Sequence, residues 1–483
     1  MFRTPPAAPP PQAATDARPT TRRPYALLLI ALLWPAQLVN ASAAITSYAQ
    51  AEIAQTFHTT QIAWFSIVYA LFGTLLLPFA VKISDMYGKR RVMLVLVVCG
   101  LAGDVLCAVA PTFGVLVAGR AVSAGYVPVA ALAFAAARDV LPARRLATAT
   151  GVMGATLGAI VAVGPLIAGW LLDAYGFRGA MWFVAAGTAV ALLLVATLIP
   201  ETPRHAAGGT FDSRGGLLLA AGILVLMFGL GQASTLGWAD PRVAGGVVGG
   251  LLLFALFVRV ERRAENPVLD LRMLSRRAVA TVVGASALVQ GTTFVSLGIM
   301  TVVIPLYPRI PGVSDGLGWT ALHGALVALP AGLVLFAVGV AASGVMRRTG
   351  ARTPWLLGVP VAIAGTVLQA FFHYDATQIM VTGIVAALGI GVVYSASPVL
   401  VLSAVTVKEQ AQANGTAMML LGLMATVGAQ ILFSTLGADS NVVQGTTVYR
   451  DSAYVHSYLV LAGLLAVGFL VSFFIPDRRE EPA

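Results

Sequence analysis

The chain contains very little charge for its length. Only 10% of its 483 residues are Asp, Glu, Lys or Arg, 58% are hydrophobic, and the mean hydropathy is +0.87. A soluble domain carries about 25% charged residues, because polar groups must cover its surface in water. The composition therefore excludes a large soluble globular protein and predicts a protein that lies in a membrane.

Cysteine is also scarce, and the sequence lacks motifs for a bound nucleotide or metal. Cys99 and Cys107 are about 12 Å apart along a helix, which is too far for a disulfide. No Walker-type glycine loop occurs, and the five histidines are scattered. We therefore expect two free thiols, no metal, no cofactor and no enzymatic activity. A solute or ion gradient must drive any work that the protein does.

In place of charge, the chain has fourteen apolar runs that are each long enough to cross a bilayer. Since backbone groups in lipid must find partners within their own segment, each run is predicted to be an α-helix. The first run follows Arg22 and Arg23 as a secretory signal does, but its length and the later runs favour a span. The predicted spans are residues 25–47, 63–81, 92–110, 113–136, 147–171, 179–199, 215–233, 243–259, 278–304, 322–345, 355–372, 377–404, 415–436 and 455–475.

Lysine and arginine are distributed unevenly between the two sets of loops. Of the 30 basic residues, only Arg178, Arg242, Arg309 and Arg450 lie in loops after odd-numbered spans, and Arg120 lies within a span. The rest lie in the tails and in the loops after even-numbered spans. By the positive-inside rule, both termini and those loops are predicted to be cytoplasmic. The net charge of +10 thus reflects topology, and no nucleic-acid partner is expected.

Two loops at corresponding places indicate an internal repeat. KISDMYGKRRVMLVL follows span 2 and GVMRRTGARTPWLLG follows span 10, each with a basic cluster around a glycine. Although any cytoplasmic loop tends to be basic, this spacing is typical of two six-span halves with an inserted pair of spans. The predicted units are a disordered cytoplasmic tail (1–24), a first six-helix bundle (25–200), a linker with two extra spans (201–277), a second six-helix bundle (278–476) and a cytoplasmic tail (477–483).

Charge within the spans is limited to one acid and one base. Of the 20 acidic residues, only Asp104 lies inside a predicted span, and Arg120 is the only base in a similar place. Counted along span 3, Asp104 lies roughly 18 Å from the cytoplasmic side, and counted along span 4, Arg120 lies roughly 11 Å from the outer side. Because the two depths add up to nearly the whole core of about 30 Å, the residues are level. An ion pair is therefore predicted. Asp104 is then either a structural brace for Arg120 or a proton carrier that releases it.

The loop after the second span carries an acid, a glycine and a basic cluster in a fixed order. KISDMYGKRR (82–91) is similar in this respect to the loop 2–3 motif of the major facilitator superfamily, and it matches at Asp85, Gly88 and Arg90. It departs at Val81, where that motif usually opens with glycine. The resemblance implies a latch that holds the cytoplasmic side closed, whereas a helix-start cap or simple loop solvation are the alternatives.

Spans 4 and 5 carry further likenesses to the same superfamily. GRAVSAG (119–125) resembles the span 4 motif through Arg120, with Ser123 in place of the usual glutamine. GATLGAIVAVGPLIAGW resembles the antiporter motif of span 5. Within it, Gly154 and Gly158 form a small-xxx-small pair that allows close helix contact. Gly164 with Pro165 removes a backbone donor and permits a bend. A gating helix needs both properties, although glycine and proline are also common in ordinary membrane helices.

The region between the two halves carries the most specific likeness. FDSRGGLLL, GWADP and VERRAENPVLDLRMLSRRA resemble the linker that is peculiar to the 14-span drug:proton antiporters of the superfamily. The likeness extends from the first span to the last. It implies an all-α membrane fold of two six-helix bundles plus two linker helices. It further implies a monomer that works by alternating access in a bacterial cytoplasmic membrane.

Polar residues of spans 1, 4, 9 and 12 are the candidate substrate contacts. Hydrogen bonding between helices is the plainer role of such residues. Span 1 lacks the acid that the family often carries there, which leaves the route of the proton open. A cavity with amide, hydroxyl and aromatic groups and little fixed charge fits bulky amphipathic solutes. The candidates are Gln37, Asn40, Ser42, Ser123, Gln290, Thr293, Tyr394 and Ser397.

The predicted function is export of amphipathic small molecules, such as drugs and toxic compounds, in exchange for protons. Arg120 is the predicted coupling residue. Export of a single metabolite, such as a siderophore or a self-made antibiotic, is the first alternative. Uptake of a nutrient by symport is the second, and the span 5 motif argues against it. The other residues assigned to coupling or gating are Asp104, Asp85, Gly88, Arg90, Gly164 and Pro165.

Overall fold

The protein is almost entirely helical in the part that the structure, a computed structural model, describes. The described residues are 25–141, 143–202, 213–237, 239–264, 271–406 and 409–476. The two predicted tails, 1–24 and 477–483, lie outside them, so their predicted disorder stays a prediction. Two small β-hairpins are the only strands within the described residues, and the sequence did not predict them.

The first bundle contains seven helices, α1 to α7. A 3-10 turn, Ala124–Tyr126, joins α5 to α6, so the two form one long rod. The hydroxyl of Thr112 accepts the backbone N–H of Val115 and thereby caps the start of α5. The helices are α1 (Tyr25–Tyr48), α2 (Gln50–Thr56), α3 (Ala63–Tyr87), α4 (Lys89–Val109), α5 (Phe113–Ser123), α6 (Val129–Val140) and α7 (Ala143–Leu198).

Helix α7 has 56 residues and breaks at Gly176, whose φ of 64° and ψ of −178° are not helical. A straight helix of this length would measure about 84 Å, far more than the bilayer core. The contacts of α7 with α1 and α2 show that its two halves run in opposite directions. Up to the break, these contacts move from α1 to Glu52 in α2, and after the break they move back toward the start of α1. In order along α7, Met153 contacts Gln37, Gly164 contacts Ala44, Gly176 contacts Glu52, and Gly187 contacts Trp34.

Two linker helices, α8 (Ser213–Leu236) and α9 (Pro241–Glu261), follow the first bundle. Asp240 caps α9 by accepting the backbone N–H of Arg242, and Pro241 occupies the first helical position. A Cβ atom on Gly246 would lie 2.4 Å from the Cα of Gly229, so the two helices approach at glycine. The pair packs beside α3 and against the second bundle, through an apolar cluster that includes Leu71, Ile223 and Met419.

The second bundle contains eight helices and both hairpins. A five-residue π-helical segment, Ile299–Val303, interrupts the first long helix of this bundle, which the apolar pattern of the sequence did not reveal. The helices are α10 (Leu271–Ser275), α11 (Arg277–Gly298), α12 (Ile304–Leu306), α13 (Ala321–Thr349), α14 (Arg352–Phe371), α15 (Ala376–Ser403), α16 (Gln410–Ala438) and α17 (Asp451–Ser472). The antiparallel strands are β1 (Arg309–Ile310) with β2 (Ser314–Asp315), and β3 (Ser440–Val443) with β4 (Thr446–Tyr449).

The molecule has two ends along the direction of its helices. We call one the hairpin end, which holds the end of α1, the Gly176 break, both hairpins and the start of α17. The other is the termini end, which holds the start of α1 and the end of α17. At the termini end, Gly88 (φ 94°) lies between α3 and α4, and Gly350 (φ 74°) lies between α13 and α14. Positive φ favours glycine at both positions, as expected for equivalent turns of the two predicted halves.

Twelve helices within the described residues are long and apolar enough to cross a membrane. The prediction of an all-helical membrane fold is therefore confirmed at this level. One of the twelve, Val163–Leu198, contains the Gly176 break, and α3 is a further apolar helix that is counted separately. Both cysteines are free, as the sequence predicted.

Helices α4 and α5 approach each other closely enough that one position requires glycine. A Cβ atom at Gly103 would lie 2.2 Å from the backbone nitrogen of Ser123 and 2.7 Å from the carbonyl oxygen of Gly119. We expect Gly103→Ala to lower the free energy of unfolding by about 1–3 kcal/mol, since backbone must move. Denaturation in mixed micelles measures this. Gly114→Ala is the control, because no atom lies within 4 Å of a Cβ there. Equal stability of the two variants would contradict this packing.

Candidate coupling and substrate site

Arg120 is buried in the first bundle and lies against aromatic rings. Its guanidinium carbon is 4.0 Å from the ring centre of Tyr69 and 4.9 Å from that of Phe65. Its Nη2 donates to the hydroxyl of Thr46 at 3.2 Å, and its Nε has no hydrogen-bond partner among the described residues. The residue is only 3% exposed. Cation–π contacts therefore provide much of the compensation for this buried charge.

Asp104 is equally buried, and two hydroxyl groups satisfy its carboxylate. Ser123 of α5 donates to Oδ1 at 2.5 Å, and Thr188 of α7 donates to Oδ2 at 2.6 Å. The side chain is 3% exposed. Hydrogen bonds to an ionised group are about twice as strong as those between neutral groups. Asp104 thus joins three helices of the first bundle through its own carboxylate.

The predicted ion pair between Asp104 and Arg120 is not formed, which corrects the expectation from sequence. The prediction that they are level holds, because Gly103 contacts Ser123 and Cys107 contacts Gly119 across the α4–α5 interface. Successive helix residues are rotated by about 100°. Arg120 is therefore turned from the face that meets α4 toward α1 and α3, and no carboxylate oxygen of Asp104 lies within 4.0 Å of its nitrogens.

Polar residues of α1 connect this helix to its neighbours in the first bundle. The amide nitrogen of Gln37 donates to the carbonyl oxygen of Met153 at 2.6 Å, and Asn40 donates to Gln37 at 3.1 Å. Ser42 is buried and accepts the hydroxyl of Tyr126 at 2.7 Å. The candidates Gln37, Asn40 and Ser42 are thus engaged in bonds between and within helices in this conformation. Tyr69, which contacts Arg120, and Thr188, which contacts Asp104, were not identified from sequence.

The candidates of the second bundle form a separate group. Gln290, Thr293 and Ser397 are buried, and Tyr394 is partly buried. The Thr293 hydroxyl donates to the carbonyl oxygen of Gln290 at 2.9 Å and lies beside the Tyr394 hydroxyl. The hydrogen bonds described for both groups stay within their own bundles. We call these two groups, one in each bundle, the half-sites, and their contact with a substrate stays a prediction.

The predicted gating pair in α7 lies against α1. A Cβ atom on Gly164 would lie 3.0 Å from the Cβ of Ala44, so the helices pack closely at this point. Pro165 lies within the helix, where it cannot donate a backbone hydrogen bond. Gly164 thus makes a close helix contact that the sequence did not predict, whereas the bend and the gating role predicted at Gly164 and Pro165 stay predictions.

At the termini end, charged side chains form ion pairs within each bundle. The side chain of Asp85 lies outside the described part of the chain, so its predicted role stays a prediction. Arg90 binds Glu201 at 2.7 Å and donates to the carbonyl oxygen of Ala196 at 2.6 Å. Lys89 binds Asp139 at 2.8 Å. Arg90 therefore anchors α4 to the end of α7, through an acid that motif matching did not identify.

The second bundle has a comparable ion pair at this end. The two terminal guanidinium nitrogens of Arg276, Nη1 and Nη2, donate to the carboxylate of Glu409 at 2.9 and 2.8 Å. Together with hydrogen bonds from Thr406, this pairing lowers the pKa of Glu409 to about 2. The pair therefore stays charged at every physiological pH. Within the described residues, no cluster of three His, Cys, Asp or Glu side chains is placed to hold a metal ion.

At the hairpin end, by contrast, polar contacts cross between the bundles. The carboxylate of Asp173 in α7 accepts the backbone N–H groups of Ala321 and Leu322 at 3.0 and 3.2 Å. These are the first amides of α13, where a helix dipole favours an anion. In addition, the hydroxyl of Thr446 in β4 donates to the carbonyl oxygen of Ala54 in α2 at 3.1 Å. These contacts join the two bundles, and sequence motifs did not predict them.

A cleft of about 190 Å³ lies beside the Asp173 contact. Glu52 lines this cleft together with Asp173, Tyr48 and Trp319. Burial raises the pKa of Glu52, an N–H group of Phe177 lowers it, and the nearby charge of Asp173 raises it further. The net direction is upward. Acidic conditions at the hairpin end therefore neutralise Glu52 sooner than an exposed glutamate.

The Thr188 hydroxyl gives a direct test of how Asp104 is held. We expect Thr188→Val to lower the free energy of unfolding by about 1–3 kcal/mol, because a buried charged acceptor loses one donor. The control is Thr197→Val in the same half of α7, since Thr197 is exposed and bonds only its own helix. This variant should stay within about 0.5 kcal/mol of the unaltered protein. Unfolding in mixed micelles measures both, and equal effects would refute the bond.

Comparisons with known proteins agree with this geometry. The sequence matches the model of the Major Facilitator Superfamily over residues 33–429. An uncharacterized MFS-type transporter of Bacillus subtilis, YhcA, is 23% identical over 472 residues, with 95% of this chain and 86% of that protein covered. A multidrug resistance protein B homolog of Mycobacterium tuberculosis is 29% identical over 407 residues, with 82% and 72% covered.

Solved structures show the same fold. The crystal structure of a point mutant of the nucleoside transporter NupG superposes with a TM-score of 0.64 over 93% of this chain and 99% of that one, at 14% sequence identity. These relatives and neighbours are transporters rather than enzymes. The multidrug resistance relatives agree with the drug:proton antiporters that the motifs resemble. Matched by the family model over most of its length, the chain belongs to the Major Facilitator Superfamily and is a membrane transporter.

Proposed function

We propose that this transporter exports amphipathic small molecules across the cytoplasmic membrane in exchange for protons. The observation that carries the proposal is the pair of opposite charges, Asp104 and Arg120, buried in one bundle without a direct bond between them. Neutral partners hold both charges, so a change at either one alters the electric field inside the bundle. The multidrug resistance relative at 29% identity supports the substrate class.

Within this proposal, Arg120 is the coupling residue and Asp104 positions it. The carboxylate of Asp104 is saturated by hydroxyls from α5 and α7, which is the arrangement of a brace rather than of a mobile acid. Arg120 keeps an Nε–H group without a partner next to two aromatic rings. That donor is available to a substrate group or a water molecule in another conformation. We therefore assign Asp104 the role of a structural brace for Arg120 rather than that of a proton carrier.

The chain crosses the membrane fourteen times in this proposal. The opposite directions of the two halves of α7 make it two spans, and α3 adds one to the helices that are long and apolar enough. Helices α8 and α9 form the inserted pair between two six-span bundles. In this proposal the termini end is cytoplasmic and the hairpin end lies outside, which the basic loops support. No contact with a second copy is needed to complete either half-site, which favours a monomer.

Transport proceeds by alternating access between the two bundles. The contacts of Asp173 and Thr446 hold the hairpin end closed in this conformation. Export requires a second conformation in which these contacts break and the hairpin end opens. Gly164 and Pro165 lie in the same helix as Asp173, so a bend there can move the Asp173 contact relative to α1. The half-sites of neutral polar residues fit solutes with little charge.

Dye efflux tests the function. In inverted vesicles, we expect a proton gradient to drive uptake of several unrelated amphipathic dyes, and collapse of the gradient to stop it. Arg120→Gln should reduce this uptake at least about tenfold, the effect of losing about 1.4 kcal/mol of coupling. The control is Arg259→Gln, which removes an exposed arginine from linker helix α9. Uptake of one compound only indicates a single-metabolite exporter, and transport in the opposite direction contradicts export.

Closure of the hairpin end depends on the charge of Asp173. We expect Asp173→Asn to reduce the closed population about two- to fivefold, because the helix N-terminus loses its anion. Distances between spin labels at Tyr175 and His323, both exposed, report closure in a variant without native cysteines. The matched control is Asp375→Asn, since Asp375 caps α15 within one bundle. An unchanged distance distribution in Asp173→Asn, or an equal change in the control, would refute this latch.

A further inference from the structure

His373 is a buried histidine whose two ring nitrogens both face oxygen acceptors. It lies at the hairpin end of the second bundle, just after α14. Its Nδ1 is 2.9 Å from the carbonyl oxygen of Gln369, and its Nε2 is 2.9 Å from a carboxylate oxygen of Asp451. The His373 side chain is 3% exposed, whereas that of Asp451 is 38% exposed.

These two contacts indicate how many hydrogens the ring carries. A carbonyl oxygen accepts only, so Nδ1 must carry a hydrogen to bond Gln369. A neutral ring with that hydrogen would point the lone pair of Nε2 at the carboxylate of Asp451. Both contacts are satisfied together only when both nitrogens carry hydrogens, as they do in an imidazolium. Asp451 also accepts a hydrogen bond from the hydroxyl of Tyr374 at 3.3 Å.

The surroundings of His373 suit a cation. Its ring stacks on Tyr374 at 4.7 Å between ring centres and meets the edge of Tyr454 at 5.9 Å. Aromatic faces attract positive charge. Asp315 accepts the backbone N–H of Asp451 at 3.0 Å and brings a second carboxylate close. The titratable and charged groups around the ring are Asp451, Asp315, Tyr374, Tyr454 and Tyr458, with Asp375, Arg309 and Arg450 exposed to solvent nearby.

The position of Asp451 connects this ring to the interface between the bundles. Asp451 is the first residue of α17 and follows the β3–β4 hairpin directly. The Tyr449 ring of β4 packs against Tyr454, 6.3 Å away, and so joins the hairpin to the same cluster. At the other end of β4, Thr446 bonds Ala54 of the first bundle. The contact between His373 and Asp451 therefore holds the base of the β3–β4 hairpin, and the other end of this hairpin contacts the first bundle.

We propose that His373 and Asp451 form a proton-binding clamp, in which closure of the hairpin end requires one proton on His373. The proton comes from water at the hairpin end and resides on the imidazole ring. When it leaves, one of the two ring contacts is lost, because a neutral imidazole donates only once. A state that binds a proton more tightly is favoured at low pH. Closure is thus favoured in acid and weakened as pH rises. The clamp acts whichever solute the protein carries.

Spin-label distances across the interface test the clamp without any substrate. Labels at Thr56 in the first bundle and Val442 in the hairpin, both exposed, report closure in a cysteine-free variant in nanodiscs. Between about pH 5 and about pH 8, we expect the ratio of closed to open states to fall, by at most about tenfold per pH unit for one proton. A ratio that does not change with pH would overturn the proposal.

Three variants assign the pH dependence to the pair. His373→Gln should reduce it, and the part that remains comes from other groups at this end, such as Glu52. Asp451→Asn should reduce it equally while keeping the hairpin end closed, since an amide N–H can donate to Nε2 of a neutral ring. His456→Gln, which removes an exposed histidine from α17, should leave the pH dependence intact. Retention of the full pH response in His373→Gln, or opening of the hairpin end in Asp451→Asn at every pH, would overturn the clamp.

A spectroscopic measurement locates the proton. In ¹⁵N-histidine-labelled protein, the resonances missing from His373→Gln identify the ring. We expect both of its nitrogens to be protonated under the conditions in which the spin labels report closure. Neutral His373 under conditions where the spin labels report closure would contradict the imidazolium, even if the variants fold poorly.

Discussion

The Arg120 guanidinium lies among apolar helices, and the first bundle is arranged around the need to compensate that charge. An isolated charge in an apolar interior costs several kcal/mol. Two aromatic rings and one hydroxyl supply the compensation, and they come from α1 and α3. These contacts require α5 to meet α1 and α3 on one side. On its other side, close packing at Gly103 and the carboxylate of Asp104 attach α5 to α4. The position of one cation thus specifies how four helices pack.

The separation of Asp104 from Arg120 has a functional consequence. A direct ion pair would neutralise both charges and resist any change of conformation, since breaking a buried pair costs about 3–5 kcal/mol. Here each charge has its own neutral partners. The field of Arg120 therefore persists within the bundle, where it can act on a proton or on a cationic solute. Hydroxyl partners such as Thr188 hold the acid in place without removing its charge.

Sequence reasoning identified the spans, the two charged residues and their common depth, because hydropathy and helical rise act locally along the chain. It placed Asp104 and Arg120 level, yet it paired them wrongly. Whether the two side chains face each other depends on which side of α5 packs against α4. Close packing at glycine determines that side. The hairpins were missed because strands of two to four residues within loops leave no periodic signal. Asp173 resembles any loop acid in sequence, since its partner is 148 residues away.

The two ends of the molecule differ in the kind of polar contact that they use. At the termini end, the described ion pairs stay within one bundle, and the pair of Arg276 with Glu409 remains charged at physiological pH. At the hairpin end, contacts between the bundles involve backbone amides, a partly buried glutamate lies in the adjoining cleft, and the ring of His373 lies within the second bundle behind the hairpin. Groups of the first kind hold each bundle together. In the proposed clamp, His373 changes with protonation, and proton concentration at the hairpin end then biases which conformation the two bundles adopt.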